Sequence, residues 1–458
     1  MKKDFNRFIS DEAMLQNLKD LGYEKMTPIQ EACLPLVLEG RDVVAKAKTG
    51  SGKTAAFGLP LLLRLHVRKM SIQSIVLCPT RELADQVANE LRKFARFQQN
   101  IKVLQLCGGV PCRQQRFSLE HGAHIIVGTP GRILQHLEEG SLFLESVETL
   151  VLDEADRMLD MGFFEDIEKI IAKTPTKKQT LLFSATFPNE IKQMCERVQH
   201  DAISISVEAE DIENKIEQVF YEVHSADKYN ALKAILLTHR PKSVILFCKT
   251  KIGVSELCED LHQDGFDVLS LHGDLEQLGR DESLIQFANG SVTILVATDV
   301  ASRGLDIKDV ECVINYDIPH TVEIYTHRIG RTGRMGKEGL AISLYEPYQK
   351  AFVQEVRELY LNLTCKPYES LEVTNTSVYL SDWITLCIDG GKKQKVRAGD
   401  ILGTLTKDVG MHASSIGKID ISDKFSYVAI ERKYADMAFD ALSHKTIKGR
   451  SFRIWKLG

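Results

Sequence analysis

Short apolar runs recur along the first part of the chain, separated by polar segments of helical periodicity: Val43 to Ala45, Ser74 to Cys78, Val103 to Leu106, His124 to Val127, Thr149 to Leu152 and Thr180 to Phe183. Continuous Val, Ile and Leu, without the alternation of a half-exposed strand, mark strands buried on both faces. With helices between them, they predict a parallel sheet covered on each side. After an acidic, strand-poor stretch from Glu208 to Ile216 the pattern restarts, at Ser243 to Phe247, Asp267 to Leu271, Thr293 to Ala297, Cys312 to Asn315 and Ala341 to Leu344. The tail reads strand, helix, strand, strand, helix, strand: Ile384 to Ile388, Ala398 to Thr406, Ile416 to Ile421, Tyr427 to Ile430, Tyr434 to Leu442, Ser451 to Trp455. The expectation is an α/β chain with domains at 1–207 and 217–365, a hinge at 208–216, a linker at 366–378 and a small α+β domain at 379–458.

Ligands of parallel sheets gather at the carboxyl ends of the strands, so the residues just after each run carry the chemistry. Val43 to Ala45 leads into Ala47-Lys48-Thr49-Gly50-Ser51-Gly52-Lys53-Thr54. A strand, a glycine-rich turn and a helix start make a phosphate cradle. Gly50 and Gly52 let amides close on phosphate without a Cβ, Lys53 supplies a point charge, and Thr54 offers a hydroxyl to Mg²⁺. An ordinary glycine-rich turn is the alternative, and Ala47 stands where a first glycine is usual. Thr149 to Leu152 leads into Asp153-Glu154-Ala155-Asp156. Asp153 fits Mg²⁺ ligation, directly or through water, and Glu154 fits a base for the water that attacks a γ-phosphate. A solvated acidic helix start is the other reading. Upstream, the Gln30 amide can donate and accept at once, which suits the edge of adenine.

The chain has 458 residues, 44% hydrophobic and 26% charged, with ten scattered cysteines and no long apolar run. That composition predicts a soluble, cytoplasmic protein with reduced thiols, no metal-binding cysteine pairs and no membrane association. The net charge of −5 is uneven: residues 377–458 carry 14 Lys and Arg against 9 Asp and Glu, a net +5, which leaves −10 on the rest. A basic tail on an acidic body suggests a polyanionic partner.

Phe5 with Gly22 to Gln30, Ala47 to Thr54, Pro79 to Leu83, Thr129 to Arg132, Asp153 to Asp156 and Ser184 to Thr186, in this order, resemble the motifs of the DEAD-box RNA helicases. The resemblance implies two RecA-like domains, ATP with Mg²⁺, and RNA-stimulated hydrolysis. It assigns adenine to Gln30 with Phe5 nearby, and RNA contacts to Pro79, Thr80, Arg81, Gly108, Gly109, Thr129, Pro130, Gly131 and Arg132. Ser184, Thr186 and His327 become coupling residues. Within His327 to Arg334, Arg331 and Arg334 match arginine fingers, whose planar cations stabilise phosphoryl transfer. Asp306 is assigned to the ribose, and Thr298, Gln277 and Arg280 to RNA. A split site of this kind implies closure on ATP and RNA, and the alternative to local unwinding is an ATP-gated RNA clamp.

In the tail, Lys392, Lys393, Lys395 and Arg397 share one loop where they can grip phosphates. Phe425 and Tyr427 occupy the stacking places of an RRM-like strand, with core packing as the alternative. This segment resembles the C-terminal domain of DbpA-type helicases. That likeness implies an RRM-like fold anchored to a 23S ribosomal RNA hairpin, a role on pre-50S particles and, we expect, a monomer.

Overall fold

The computed structural model describes residues 4–47, 50–187, 189–207, 216–299, 310–333, 338–360 and 363–457. They fall into two compact units, one ending at 207 and the other beginning at 216. Lys48, Thr49, Asp306, Arg334 and nearly all of the expected hinge lie outside the described residues.

The first unit is built on β1 (Val43–Lys46), β2 (Ser74–Leu77), β3 (Val103–Leu106), β4 (Ile125–Gly128), β5 (Thr149–Asp153), β6 (Gln179–Ser184) and β7 (Ile203–Ser206). They form one sheet in the order β3-β4-β2-β5-β6-β1-β7, with every pair parallel. Successive side chains alternate faces. Val151 therefore joins one helix-covered core with Ala45 and Phe183, while Leu150 and Leu152 join the other with Ile126 and Leu182. Two buried faces account for strands that read as unbroken apolar runs. The register sets Lys46 beside Ser184 and Asp153 beside Phe183, so β1, β5 and β6 end side by side.

The second unit repeats the plan with β8 (Ile216–Glu222), β9 (Val244–Phe247), β10 (Val268–Leu271), β11 (Ile294–Ala297), β12 (Cys312–Asn315), β13 (Gly339–Tyr345) and β14 (Leu363–Pro367). Their order, β10-β11-β9-β12-β13-β8-β14, is the first sheet's order shifted by seven, again all parallel. The same unit contains an antiparallel sheet, β16-β17-β15-β18, of β15 (Trp383–Ile388), β16 (Ile416–Ile421), β17 (Ser426–Glu431) and β18 (Ile454–Leu457). Helices Ala398–Gly403 and Ala435–His444 cover one of its faces, packing Ile401, Ala438 and Leu442 on Leu386, Val428 and Ile430.

The sequence pattern omits β7, β8 and β14. Edge strands β7 and β14 alternate half-buried and exposed residues, Ser204, Thr364 and Lys366 among them, and so show no apolar run. β8 is mostly buried, but Glu217 and Gln218 interrupt its apolar residues. No helix among the described residues is long and apolar enough to cross a membrane.

Candidate active site and RNA-facing loops

The phosphate loop joins β1 to the helix Lys53–Leu63. Gly50 and Gly52 have φ of 85° and 93°, a region open to glycine and costly to other residues. At Gly52 an added Cβ would lie 2.4 Å from Gln30 Nε2. Gln30 itself is buried, accepting from Thr27 N (2.9 Å) and donating to the Gly52 carbonyl (3.1 Å). The structure thus sets the predicted adenine reader against the phosphate loop, as a brace for it. Ala47 is buried, its N–H bonded to Ser184 O at 2.9 Å, and Thr54 sits half-buried in the first turn. Phe5 lies in the core, edge-on to Tyr23 at 6.4 Å.

Lys53 and Asp153 are 6% and 2% exposed, and their Nζ and Oδ1 stand 3.7 Å apart. Neither atom, nor Ser51 Oγ, has a hydrogen-bond partner among the described residues. Buried polar atoms left this way are costly, and protein interiors rarely tolerate them. Burial pushes the Asp153 carboxyl above the usual carboxylate range; Lys53 acts against that shift. A cationic amine, an open hydroxyl and a carboxylate converging on glycine amides fit a polyphosphate with a divalent cation: phosphate oxygens would answer Lys53 and Ser51, and the cation Asp153.

Glu154 caps the helix Ala155–Asp160 in a left-handed conformation (φ 53°), and its carboxylate accepts from Arg157 at 2.6 Å, both side chains buried. Asp156 Oδ2 accepts from Ala185 N (3.1 Å), Thr186 N (2.8 Å) and Thr186 Oγ1 (3.0 Å). Ser184 Oγ accepts from Asp156 N at 3.2 Å and donates to Thr186 O at 2.7 Å. The ends of β5 and β6 are thereby locked together. Sequence reading named Ser184 and Thr186 but missed Arg157, which the three-residue spacing from Glu154 on a helix could have revealed.

The RNA-assigned loops lie at neighbouring strand ends. Thr80 caps the helix Arg81–Phe94, accepting from Leu83 N; such caps contribute about 1 kcal/mol. Pro79 is buried beside it, and Arg81 crowds the backbone at Gly108, where an added Cβ would meet its guanidinium at 2.6 Å. Gly109 has φ of 82°. Thr129, Pro130 and Gly131 open the helix Pro130–Glu138. Arg132 donates to Val110 O and Gln115 Oε1, each at 2.8 Å, while Gln115 donates to Cys107 O at 2.9 Å, so one buried amide ties the two loops. Cys112, His136 and Glu139 also converge, within 4.8 Å. Both His136 nitrogens are already taken, by Ser141 Oγ (2.7 Å) and Gln115 Oε1 (3.0 Å), so the trio is a hydrogen-bonded clasp.

In the second unit, Arg328 is fully engaged. It makes a two-pronged pair with Asp299 (2.6 and 2.7 Å), donates to Asn315 Oδ1 (2.9 Å) and Asp317 O (2.6 Å), and lies over the Phe247 ring. Arg331 is buried one turn on and His327 half-buried. Gln277 and Arg280 occupy the first turn of the helix Gln277–Ala288, and buried Thr298 follows β11.

The stretch just past that helix changes the expectation for Tyr427. Burial, then Cys387 and the carboxylates of Glu282 and Asp281, push the Tyr427 hydroxyl pKa up, and the ring is 2% exposed. On the same sheet face Thr385 bonds Ser291 (2.6 Å) and Asn289 (3.4 Å). Arg432 pairs with Asp267 at 2.8 Å, and Ser381 Oγ donates to Gly290 O. The stacking assignment of Tyr427 is therefore corrected: its face is spent on packing against the second parallel-sheet domain. Phe425, at the strand start, stays half-buried. Lys392, Lys393, Lys395 and Arg397 are exposed, joined by Lys448 and Arg450, which reach the carbonyls of Lys395 and Gln394 at 3.4 Å each. Sequence reading missed that second basic loop, because only the fold brings it to the first.

Family models match in three stretches: the DEAD/DEAH box helicase over residues 27–194, the helicase conserved C-terminal domain over 227–336 and the DbpA RNA binding domain over 385–456. The ATP-dependent RNA helicase DbpA of Escherichia coli K12 is 49% identical over 445 residues, 96% of each chain. DbpA of Bacillus subtilis 168 is 36% identical over 475 aligned positions, 99% of each. Among solved structures, S. cerevisiae Dbp5 bound to RNA and ADP BeF3 superposes with a TM-score of 0.72 at 30% identity, covering 80% of this chain and 96% of that one. Twin parallel sheets with the ordered motifs at their strand ends, a basic C-terminal domain and likenesses of this extent make the chain a member of the DEAD-box ATP-dependent RNA helicases, of the DbpA type.

Proposed function

We propose that this helicase opens short RNA duplexes near a point where its C-terminal domain grips 23S ribosomal RNA, and that it does so in the cytoplasm, as a monomer, during assembly of the large ribosomal subunit. The observation that carries the anchor is the convergence of two basic loops, Lys392 to Arg397 and Lys448 to Arg450, at one end of that domain, where each cation can neutralise a phosphate. In this reading Lys53 and the Gly50 and Gly52 amides hold the β- and γ-phosphates. Glu154 takes the proton of the attacking water, while Arg331 and Arg334 steady the charge that develops. Bound at Thr54 and Asp153, Mg²⁺ would supply neutralisation of phosphate charge. Opening a few base-pair steps, at about 1.4 kcal/mol each on the DNA scale, is within reach of one binding cycle.

The test is ATPase stimulation of the full chain by a 23S fragment carrying the peptidyl-transferase hairpin, compared with an unrelated hairpin. The fragment should stimulate at much lower concentration, and Lys392, Lys393, Lys395 and Arg397 changed together to Gln should erase the difference. Equal stimulation by both RNAs in the unmodified chain would reject the anchor.

A further inference from the structure

With Tyr427 buried on the face where Thr385 bonds Asn289 and Ser291, the C-terminal sheet has lost the ring on which an RRM-like face would ordinarily hold a base. Its outer face is not wholly consumed. Across it, Tyr427 on β17, Cys387 on β15 and Trp455 on β18 stand in one row by register. Tyr427 and Cys387 are buried, but Trp455 on the edge strand is half-exposed. Phe425 stands edge-on to it, ring centroids 5.8 Å apart at 82°, and the Arg453 guanidinium lies 5.9 Å above it.

The backbone delivers further charge to the same edge. Asp389 N donates to Arg453 O (2.9 Å), Lys392 N to Ser422 O (2.9 Å) and Lys393 N to Asp423 O (3.0 Å), so the basic loop, the turn carrying Phe425 and the start of β18 close on one another. Lys392, Lys393, Lys424 and Arg453 are exposed there against the carboxylates of Asp389 and Asp423. Glu282 bears on Tyr427 and Cys387, at the covered end of the row.

A large half-exposed indole set square to a second ring and roofed by a guanidinium, with exposed lysines on the turn and loop that adjoin that ring, is unsuited to a plain protein surface and suited to an unpaired base whose phosphates the cations meet. We infer that Trp455, with Phe425 and Arg453, is a stacking platform for a splayed-out nucleobase in the loop of the anchoring RNA hairpin. This inference rests on the anchoring reading above and adds a base contact to what is otherwise a phosphate grip.

The chain has two tryptophans. Trp383→Phe in the full-length protein leaves Trp455 as the sole indole, and the titrant is the 23S hairpin fragment with a 5′ fluorophore. One titration then reads binding by anisotropy and stacking by Trp455 emission. Emission should be quenched along the same isotherm as binding. Trp455→Leu should weaken the hairpin at least about fivefold, with Trp455→Phe between Leu and wild type, and abasic sites in the hairpin loop should abolish the difference between wild type and Trp455→Leu. Binding without quenching, or Trp455→Leu binding as tightly as wild type, overturns the platform. A hairpin that fails to bind at all overturns the anchoring reading, and the platform with it.

Discussion

In the first parallel sheet β1 runs into a glycine loop and β5 into Asp153; in the second the strands in the same places, β8 and β12, run into Val223-His224 and Tyr316-Asp317. The scaffolds match strand for strand, yet the charges at their ends are handled in opposite ways. Among the described residues Lys53 Nζ and Asp153 Oδ1 are buried with only each other, at 3.7 Å, whereas Arg328 is met by Asp299, Asn315, a carbonyl and an aromatic ring. The first arrangement leaves a buried ion pair short of hydrogen-bond partners, which is tolerable where a ligand completes it; the second spends its charge on holding its own loops. One fold therefore serves as a binding site and as a brace, according to which side chains it carries.

The comparison breaks most sharply at Glu154. On the proposal that Glu154 is the base for the attacking water, Glu154→Gln should lower RNA-stimulated kcat by about 10²- to 10⁴-fold, with RNA affinity in a filter-binding assay unchanged. Hydrolysis that survives within a factor of a few would move the chemistry elsewhere. Next comes stability. Arg328→Met removes the two-pronged pair with Asp299 and the bonds to Asn315 and the Asp317 carbonyl, and should cost about 3–5 kcal/mol in thermal unfolding of the second unit. The paired change Lys53→Met with Asp153→Leu replaces a buried ion pair whose atoms lack hydrogen-bond partners among the described residues, and should be neutral or stabilising by about 1–4 kcal/mol while abolishing hydrolysis. If that double variant unfolds as readily as Arg328→Met, the two sites do not differ as argued.

A smaller effect separates the loop from its surroundings. Gly52→Ala forces a Cβ into φ 93° and towards Gln30, at about 1–2 kcal/mol for the backbone alone. It should raise KM for ATP while nucleotide-free RNA binding stays as it was; an unchanged KM would mean that the loop does not need its left-handed turn.

How far these features can be read in advance depends on range. The phosphate loop, Asp153-Glu154 and the central strands are local patterns: an apolar run, a glycine spacing, a carboxylate at a strand end. Each is visible in a dozen residues because both the burial and the chemistry act over that distance. The pairing of Arg328 with Asp299 spans 29 positions, and that of Lys448 with the 392–397 loop spans 53; neither leaves a periodic trace. Tyr427 was misplaced for a related reason. An alternating aromatic strand fits a free sheet face and a packed one equally well, and only the bonds of Asn289, Gly290 and Ser291 to the C-terminal domain decide between them. Edge strands β7 and β14 are the remaining case, since one-sided burial lets polar residues in.

The smallest predicted effect lies in the clasp of Cys112, His136 and Glu139 behind the loops that follow β3 and β4. Burial first, and the Arg132 cation next, hold the His136 pKa below its usual value; Glu139 favours protonation, Arg116 opposes it, and the Cys112 thiol lies against the ring. The folded ring thus stays neutral where an unfolded histidine, at about 6.5, would take a proton. A depressed folded value means that the contribution is complete above the unfolded pKa and is lost as pH falls through it towards the folded one. Hydrogen exchange in the helix Pro130–Glu138 should accordingly quicken more between pH 7.5 and 5.5, after correction for intrinsic rates, than in His136→Gln, whose amide can still donate to Gln115 and has nothing to titrate. Equal acceleration in both proteins would show that the acid sensitivity of this helix arises from another group.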